Sequence, residues 1–121
     1  MRWPVIFADE FEADFAALEI VVQDELLARA KLLQEFGPTL GRPFADTLEG
    51  SKFANMKELR FDAAGRVWRA AFAFDPQRKA VLLVAGDKSG IAQRLFYRSL
   101  VRRADKRFQT HLKRWEAGKG E

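Results

Sequence analysis

The chain has 121 residues, 48% of them hydrophobic, including eleven Phe and three Trp, which is enough to build one core and argues against disorder. It contains no cysteine, which excludes disulfides and thiolate metal sites and suits a reducing compartment such as the cytosol. The formal net charge is +4, but the charge is unevenly distributed: residues 1–50 hold four Lys/Arg and ten Asp/Glu, whereas residues 88–119 hold ten Lys/Arg and two Asp/Glu. This basic end favours a polyanionic partner over a merely solvated surface.

The first predicted elements are a short extended run through Val5 and Phe7 and then a helix. Asp9 can cap this helix together with Glu12 in a capping-box-like pair. Apolar residues then recur at helical spacing until the stop signal Phe36-Gly37-Pro38: Leu18, Val22, Leu26, Ala30 and Leu33. We expect one long helix or two that abut. The N-terminal apolar run is too short for a signal peptide or a membrane span, so we expect a cytoplasmic protein that does not bind membranes.

Residues 37–55 are rich in Gly, Pro and small polar side chains and predict an ordered loop. Three segments, 56–61, 67–74 and 80–85, are rich in apolar residues and β-formers and are separated by turn residues, which predicts an antiparallel meander with the third strand at its centre.

A closing helix is predicted from Ile91 onward. Its buried stripe would be Tyr97, Val101, Ala104, Phe108, Leu112 and Trp115, and its exposed basic face Arg94, Arg98, Arg102, Lys106 and Arg107. The domain is expected to span residues 1–116, followed by a loose tail at 117–121.

Three cations occupy successive predicted strands. Strand alternation lets Arg60 and Arg69 face the same space, and Lys88 follows the end of the third strand. Converging cations of this kind can bind a phosphate and stabilise charge that develops on it. The competing interpretation is that Arg60 pairs with Glu58 or with an acidic residue of the first helix.

Other common catalytic arrangements find little support. The single histidine, His111, lies far along the last helix, and the acidic cluster near Asp9 is typical of a helix N-terminus rather than of a metal site. The run Gly86 to Gly90 lacks the Gly-Lys-Ser/Thr ending of a Walker loop. We therefore expect neither a metal nor a small-molecule cofactor.

Several runs together resemble the phage-derived HigB-like branch of the RelE/ParE toxin superfamily. They are Phe36-Gly37-Pro38-Thr39-Leu40-Gly41-Arg42-Pro43, Met56-Lys57-Glu58-Leu59-Arg60, Trp68-Arg69-Ala70-Ala71-Phe72, Leu82-Leu83-Val84-Ala85-Gly86-Asp87-Lys88-Ser89-Gly90, Phe96-Tyr97 and Ala104-Asp105. The resemblance covers residues 3–115. Each run is short, but their order and spacing make the combination specific.

The resemblance implies an α+β, RelE-like fold with a small curved antiparallel sheet, N-terminal helices and a C-terminal basic helix. It implies a toxin of a type II toxin–antitoxin pair that cleaves messenger RNA without metal, often on the ribosome, through the RNA's own 2′-hydroxyl. Arg60, Arg69 and Lys88 would be the catalytic residues. The RNA-binding residues would be Lys57, Arg94, Tyr97, Arg98 and Arg102, although alternation puts Lys57 on the opposite face from Arg60 and Tyr97 could instead belong to the core.

The resemblance leaves two other functions open. The ParE branch of the same superfamily inhibits gyrase, and a degenerate relative could retain only the binding of its antitoxin. Some HigB relatives use histidines in the site, and this chain offers only His111, so no general acid or base is assigned. The partner that the family implies is a helix-turn-helix antitoxin, alongside messenger RNA and the ribosome.

Overall fold

A computed structural model describes residues 2–119, with only the backbone described for Lys119. In chain order the elements are β1 (Val5–Phe7), α1 (Asp9–Ala16), α2 (Ile20–Phe36), a 3₁₀ turn (Gly37–Thr39), β2 (Ala45–Thr47), β3 (Lys57–Ala63), β4 (Arg66–Phe74), β5 (Ala80–Asp87) and α3 (Gln93–Lys119). The predicted α+β class is therefore confirmed. No helix in this described range is long and apolar enough to cross a membrane.

The strands form one sheet in the order β1-β5-β4-β3-β2. The predicted meander is confirmed, since β3, β4 and β5 pair antiparallel in sequence. Its first turn contains Ala64 and Gly65, both with positive φ, the backbone that two-residue hairpin turns favour. The middle strand is β4 rather than β5, because β1 adds to the outer edge of β5 in parallel orientation.

The N-terminal helical region consists of two helices, α1 and α2, separated by residues 17–19. Val22, Leu26, Ala30 and Leu33 of α2 are buried, as their spacing predicted. The prediction that Asp9 and Glu12 form a capping box is wrong. Ala8 occupies the N-cap position and, among the described residues, no side chain caps α1. Asp9 instead lies in the first turn and pairs with Arg114 of α3 at 3.0 Å.

Residues 37–55 are not entirely loop, because β2 pairs antiparallel with β3 and sets Asp46 opposite Glu58. A strand of three residues is too short to give a periodic signal, and here it is specified by the edge of β3. The following loop is fastened to α3 through Asp105, whose carboxylate accepts hydrogen bonds from Ser51 Oγ and from the backbone N–H of Lys52.

Helix α3 packs against β4 and β5 with Phe96, Leu100, Ala104 and Phe108 buried. The predicted stripe is thus displaced at its start, where Tyr97 and Val101 lie at the margin of the core. The displacement follows from a close approach over Gly86, where an added side chain would come within 3.0 Å of the Phe96 ring.

Two further predictions for α3 need correction. Arg107 is not on the exposed basic face, because its Nη1 donates to Asp14 Oδ2 at 2.6 Å and to the Leu83 carbonyl at 2.7 Å. The loose tail is also wrong for the described residues, since α3 continues through Lys119. Residues 120–121 lie outside the described residues.

Candidate functional site

The two predicted arginines are direct neighbours across the sheet. Arg60 on β3 pairs in register with Arg69 on β4, and Arg69 in turn lies opposite Gly86 on β5. Directly opposed residues of an antiparallel pair project to the same face. The structure therefore brings Arg60 and Arg69 together on the face that α3 covers.

Both arginines approach the carboxylate of Glu58. Arg60 Nη1 lies 2.6 Å from Glu58 Oε2, and Arg69 Nε lies 4.0 Å from the same oxygen. Glu58 is only 3% exposed, so it acts as a fixed anchor between the two guanidinium groups. The ion pair considered from the sequence is present, yet one carboxylate offsets only one of the two cations.

Arg69 is held deeper than Arg60. Its side chain is 6% exposed, its Nη1 donates to the Trp68 carbonyl at 2.8 Å, and its Nε donates to the Tyr97 hydroxyl at 3.2 Å. The pKa of that hydroxyl is raised, mainly by burial and further by the charge of Glu58, against the opposing effect of Arg69. Tyr97 thus links α3 to the buried guanidinium.

Lys88 reaches the site from the end of β5. Its backbone N–H donates to the Val67 carbonyl at 2.8 Å, which fixes the end of the strand. Burial lowers the pKa of its ammonium below the usual value, and the nearby charges of Arg69 and Arg60 act in the same direction. An ammonium held close to two guanidinium groups is expected to favour an anion placed between them.

A cavity of about 650 Å³ opens between β2, β3 and the start of α3, and we call it the main cavity. Arg60, Lys88, Arg94 and Tyr97 line it, together with Glu58 and the Arg42–Asp46 ion pair. Lys88 and Arg94 form no ion pair within residues 2–119, so their charges are available to a ligand.

Arg69 does not line the main cavity with the other two predicted catalytic residues. The cause is its place on the middle strand, where α3 covers the face from which it projects. It contacts the cavity wall through Tyr97 and Glu58. The sequence predicted that all three cations converge. Of the three, Arg60 and Lys88 line the main cavity and Arg69 does not.

The remaining predicted RNA-binding residues are divided between two locations. Arg98 and Arg102 line a shallow groove of about 310 Å³ that shares Tyr97 and Glu49 with the main cavity, so the two surfaces are continuous. Lys57 is not brought to the site. Its Nζ donates to the Pro38 carbonyl at 3.1 Å, and alternation along β3 directs it away from Arg60, as its position in the sequence indicated.

His111 lies away from the main cavity. Its Nε2 is 2.9 Å from Asp75 Oδ2, and its ring stacks on Phe108. Asp75 also accepts backbone hydrogen bonds from Gln77 and Lys79 in the turn between β4 and β5. His111 therefore joins α3 to this turn. Across the described residues, no group of three or more His, Cys, Asp or Glu side chains is arranged so that it could hold a metal ion.

Sequence reasoning missed Glu58 as a member of the site and treated it only as a possible partner of Arg60. The signal was available, because Glu58 and Arg60 are two positions apart on one strand and so share a face. The contribution of Arg42 and Asp46 could not be found in the same way, since it depends on the unpredicted strand β2.

Comparison with known proteins identifies the family. A family model described as "Phage derived protein Gp49-like" matches residues 13–109. The chain belongs to this family. The predicted membership of a phage-derived, HigB-like branch is confirmed.

Two curated relatives from Mycobacterium tuberculosis are similar to the chain. "Putative toxin HigB3" is 43% identical over 108 residues, which are 89% of this chain and 92% of that protein. "Putative toxin HigB2" is 40% identical over 109 residues, 89% of this chain but 48% of that protein. The chain therefore spans about half the length of HigB2 and nearly all of HigB3.

A solved structure of a mutant of Escherichia coli toxin RelE in the free state has the same fold. It superposes with a TM-score of 0.60 at 13% identity, covering 84% of this chain and 95% of RelE. The predicted RelE-like fold is confirmed.

Proposed function

We propose that the protein is the toxin of a type II toxin–antitoxin pair and that it cleaves messenger RNA in the main cavity. The observation that carries the proposal is the pairing of Arg60 and Arg69 across adjacent strands, with Lys88 and Tyr97 beside them. Its similarity to HigB2 and HigB3, both named as toxins, supports the toxin role.

The chemistry that this arrangement suits is transesterification within the RNA. The 2′-hydroxyl gives up its proton to solvent as its oxygen attacks the adjacent phosphorus, the bond to the 5′-oxygen breaks, and a 2′,3′-cyclic phosphate remains. The protein needs to orient the chain and stabilise the negative charge that develops on the phosphoryl oxygens. Arg60 can contact those oxygens directly, while buried Arg69 contributes its charge from behind and holds Tyr97 in place.

Lys88 is the residue we assign to the departing 5′-oxygen. Its lowered pKa brings its ammonium nearer to the range in which a general acid gives up a proton at neutral pH. The proposal assigns no step to a metal or a cofactor, because the nucleophile is the RNA's own 2′-oxygen and the positive charge comes from Arg60, Arg69 and Lys88.

The exposed side of α3 extends the site into a path for the RNA backbone. Arg94 lines the main cavity, and Arg98 and Arg102 follow along the continuous groove. Cations spaced along one surface bind a phosphate chain without reading its sequence. We propose that this path holds messenger or ribosomal RNA in the cytoplasm, and that a helix-turn-helix antitoxin neutralises the protein.

The test compares RNA cleavage with gyrase inhibition. Purified protein would be incubated with ribosomes and a defined message, and separately with gyrase and relaxed DNA. The proposal predicts cut message and unimpaired supercoiling. Inhibited supercoiling with intact message would show a ParE-like function. If the message stays intact and supercoiling is unimpaired, the protein is a relative that only binds an antitoxin.

A further inference from the structure

A second cavity lies beside the main cavity, at the edge of β3 just before β2 begins. It has a volume of about 410 Å³ and is lined by residues of α2, of the turn before β2, of β3 and of β4. Arg42 and Arg60 line both cavities, so a ligand that fills one directly adjoins a ligand in the other. We call this second space the β3-edge cavity.

An aromatic ring forms part of its wall. Phe44 is 36% exposed, and its backbone carbonyl accepts a hydrogen bond of 2.8 Å from the N–H of Arg60. The guanidinium of Arg29 lies 5.5 Å from the centre of the Phe44 ring. The backbone of Phe44 is therefore fixed beside Arg60, and its ring, with a guanidinium over it, remains partly open to solvent.

Arginine side chains make up half of the residues that line the cavity. They are Arg29, Arg42, Arg60 and Arg69, and each also lies within 4.0 Å of a carboxylate outside the lining. Arg29 is 3.7 Å from Glu25, but its buried Nε has no hydrogen-bond acceptor among the described residues. A wall this rich in guanidinium groups, one of them incompletely hydrogen-bonded, favours a ligand that carries phosphate oxygens.

We infer that the β3-edge cavity binds the nucleotide adjacent to the scissile phosphate, with its base stacked on Phe44 and its phosphate near Arg29 and Arg42. An aromatic face beside guanidinium groups is the combination that holds unpaired bases of single-stranded nucleic acid. This inference rests on the proposed function, because the neighbouring phosphate would occupy the main cavity at Arg60.

The test measures binding without cleavage. A short fluorescein-labelled 2′-O-methyl oligoadenylate cannot be cut through its 2′-oxygen, and a series of such oligomers would each carry one abasic position. Fluorescence anisotropy would give the affinity of each oligomer for the wild-type protein and for Phe44→Leu. Phe44→Leu keeps an apolar side chain but removes the ring. Phe44→Trp restores a ring, and Phe36→Leu changes a comparably exposed phenylalanine, 49% exposed, that lines neither cavity.

We expect one abasic position to weaken binding to the wild-type protein about ten-fold, the scale of one stacked base. The abasic change at that position should weaken binding to Phe44→Leu only slightly, because the stacking partner is already absent. Phe44→Trp and Phe36→Leu should behave like the wild type. Thermal unfolding of each variant would verify that it is folded.

The outcomes separate this inference from the proposed function. Equal losses for wild type and Phe44→Leu at every abasic position would overturn the subsite and leave RNA cleavage standing. Coupling at one position in a protein that cuts no message would support the subsite and contradict the nuclease. A wild-type protein that binds none of the oligomers would overturn both.

Discussion

Arg69 lies behind the main cavity and does not line it. A guanidinium stays charged in almost any protein environment, so burying Arg69 at 6% exposure places a permanent positive charge under the cavity floor. Its contacts with Tyr97, Glu58 and the Trp68 carbonyl satisfy it without fully neutralising it. The sequence indicated the strand face of Arg69 but not its depth.

Replacing Arg69 separates its charge from its packing. Arg69→Ala should abolish growth inhibition, and it should also lower the free energy of unfolding by about 2 kcal/mol because Glu58 and Tyr97 lose a buried partner. Arg69→Lys keeps a charge and should retain part of the inhibition. Growth assays on induced cells and thermal unfolding of the purified variants would measure both effects. Undiminished toxicity of a folded Arg69→Ala protein would remove this residue from the mechanism.

Lys88 provides a prediction on pH. Because its pKa is lowered by burial and by two arginines, it loses its proton at a lower pH than an exposed lysine does. If Lys88 protonates the 5′-oxygen, the cleavage rate should fall as pH rises through that lowered pKa. Lys88→Arg keeps its proton throughout, so it should be slower by about 100-fold and should lose the alkaline fall.

The matched control is Lys57→Arg, also a lysine-to-arginine change, at a residue on the face of β3 opposite to Arg60. It should reproduce the wild-type rate and pH profile. An alkaline fall that persists unchanged in Lys88→Arg would show that another group titrates.

At the scale of the element, α3 divides its charge between two sides. Arg103, Arg107 and Arg114 pair with carboxylates of α1. Arg94, Arg98 and Arg102 recur every fourth residue and form no ion pair within the described chain. The first side docks a helix of the fold, and the second is available to bind a polyanion.

Charge reversal on the open side tests this division. Arg98→Glu combined with Arg102→Glu should weaken binding to ribosomes at least ten-fold and reduce the salt dependence of that binding, because each lost phosphate contact lowers the slope. The unfolding temperature should change little, since both side chains are exposed. The control Lys113→Glu alters an exposed cation near the other end of α3. If neither salt nor the charge reversal affects binding, these arginines are solvent-exposed side chains that bind no RNA.

At the scale of the whole molecule, the acidic N-terminal half and the basic C-terminal end are brought together by folding. The α1 carboxylates Asp9, Glu10 and Asp14 neutralise part of α3, so the remaining cations are concentrated beside the main cavity. The lopsided charge of the sequence therefore has two consequences, one for folding and one for binding.

The parts of the fold that could be predicted are those with a local signal. The period of α2 and the apolar runs of β3, β4 and β5 are long enough to identify each element. Strand β2 could not be predicted because it exists only through its pairing with β3. The same limit applies to the site, where alternation identified the shared face of Arg60 and Arg69 but the deep position of Arg69 depends on packing by α3.

We propose that the RNA's own 2′-oxygen attacks the phosphate, with protein cations stabilising the transition state. The protein, together with ribosomes if cleavage needs them, would be incubated with a message that carries a single 2′-deoxy nucleotide at the preferred site. The ends of the products would then be mapped. The deoxy site should resist cleavage, and the unmodified message should yield a 2′,3′-cyclic phosphate or a 3′-phosphate. Cleavage at the deoxy site, or a 3′-hydroxyl product, would contradict the proposal.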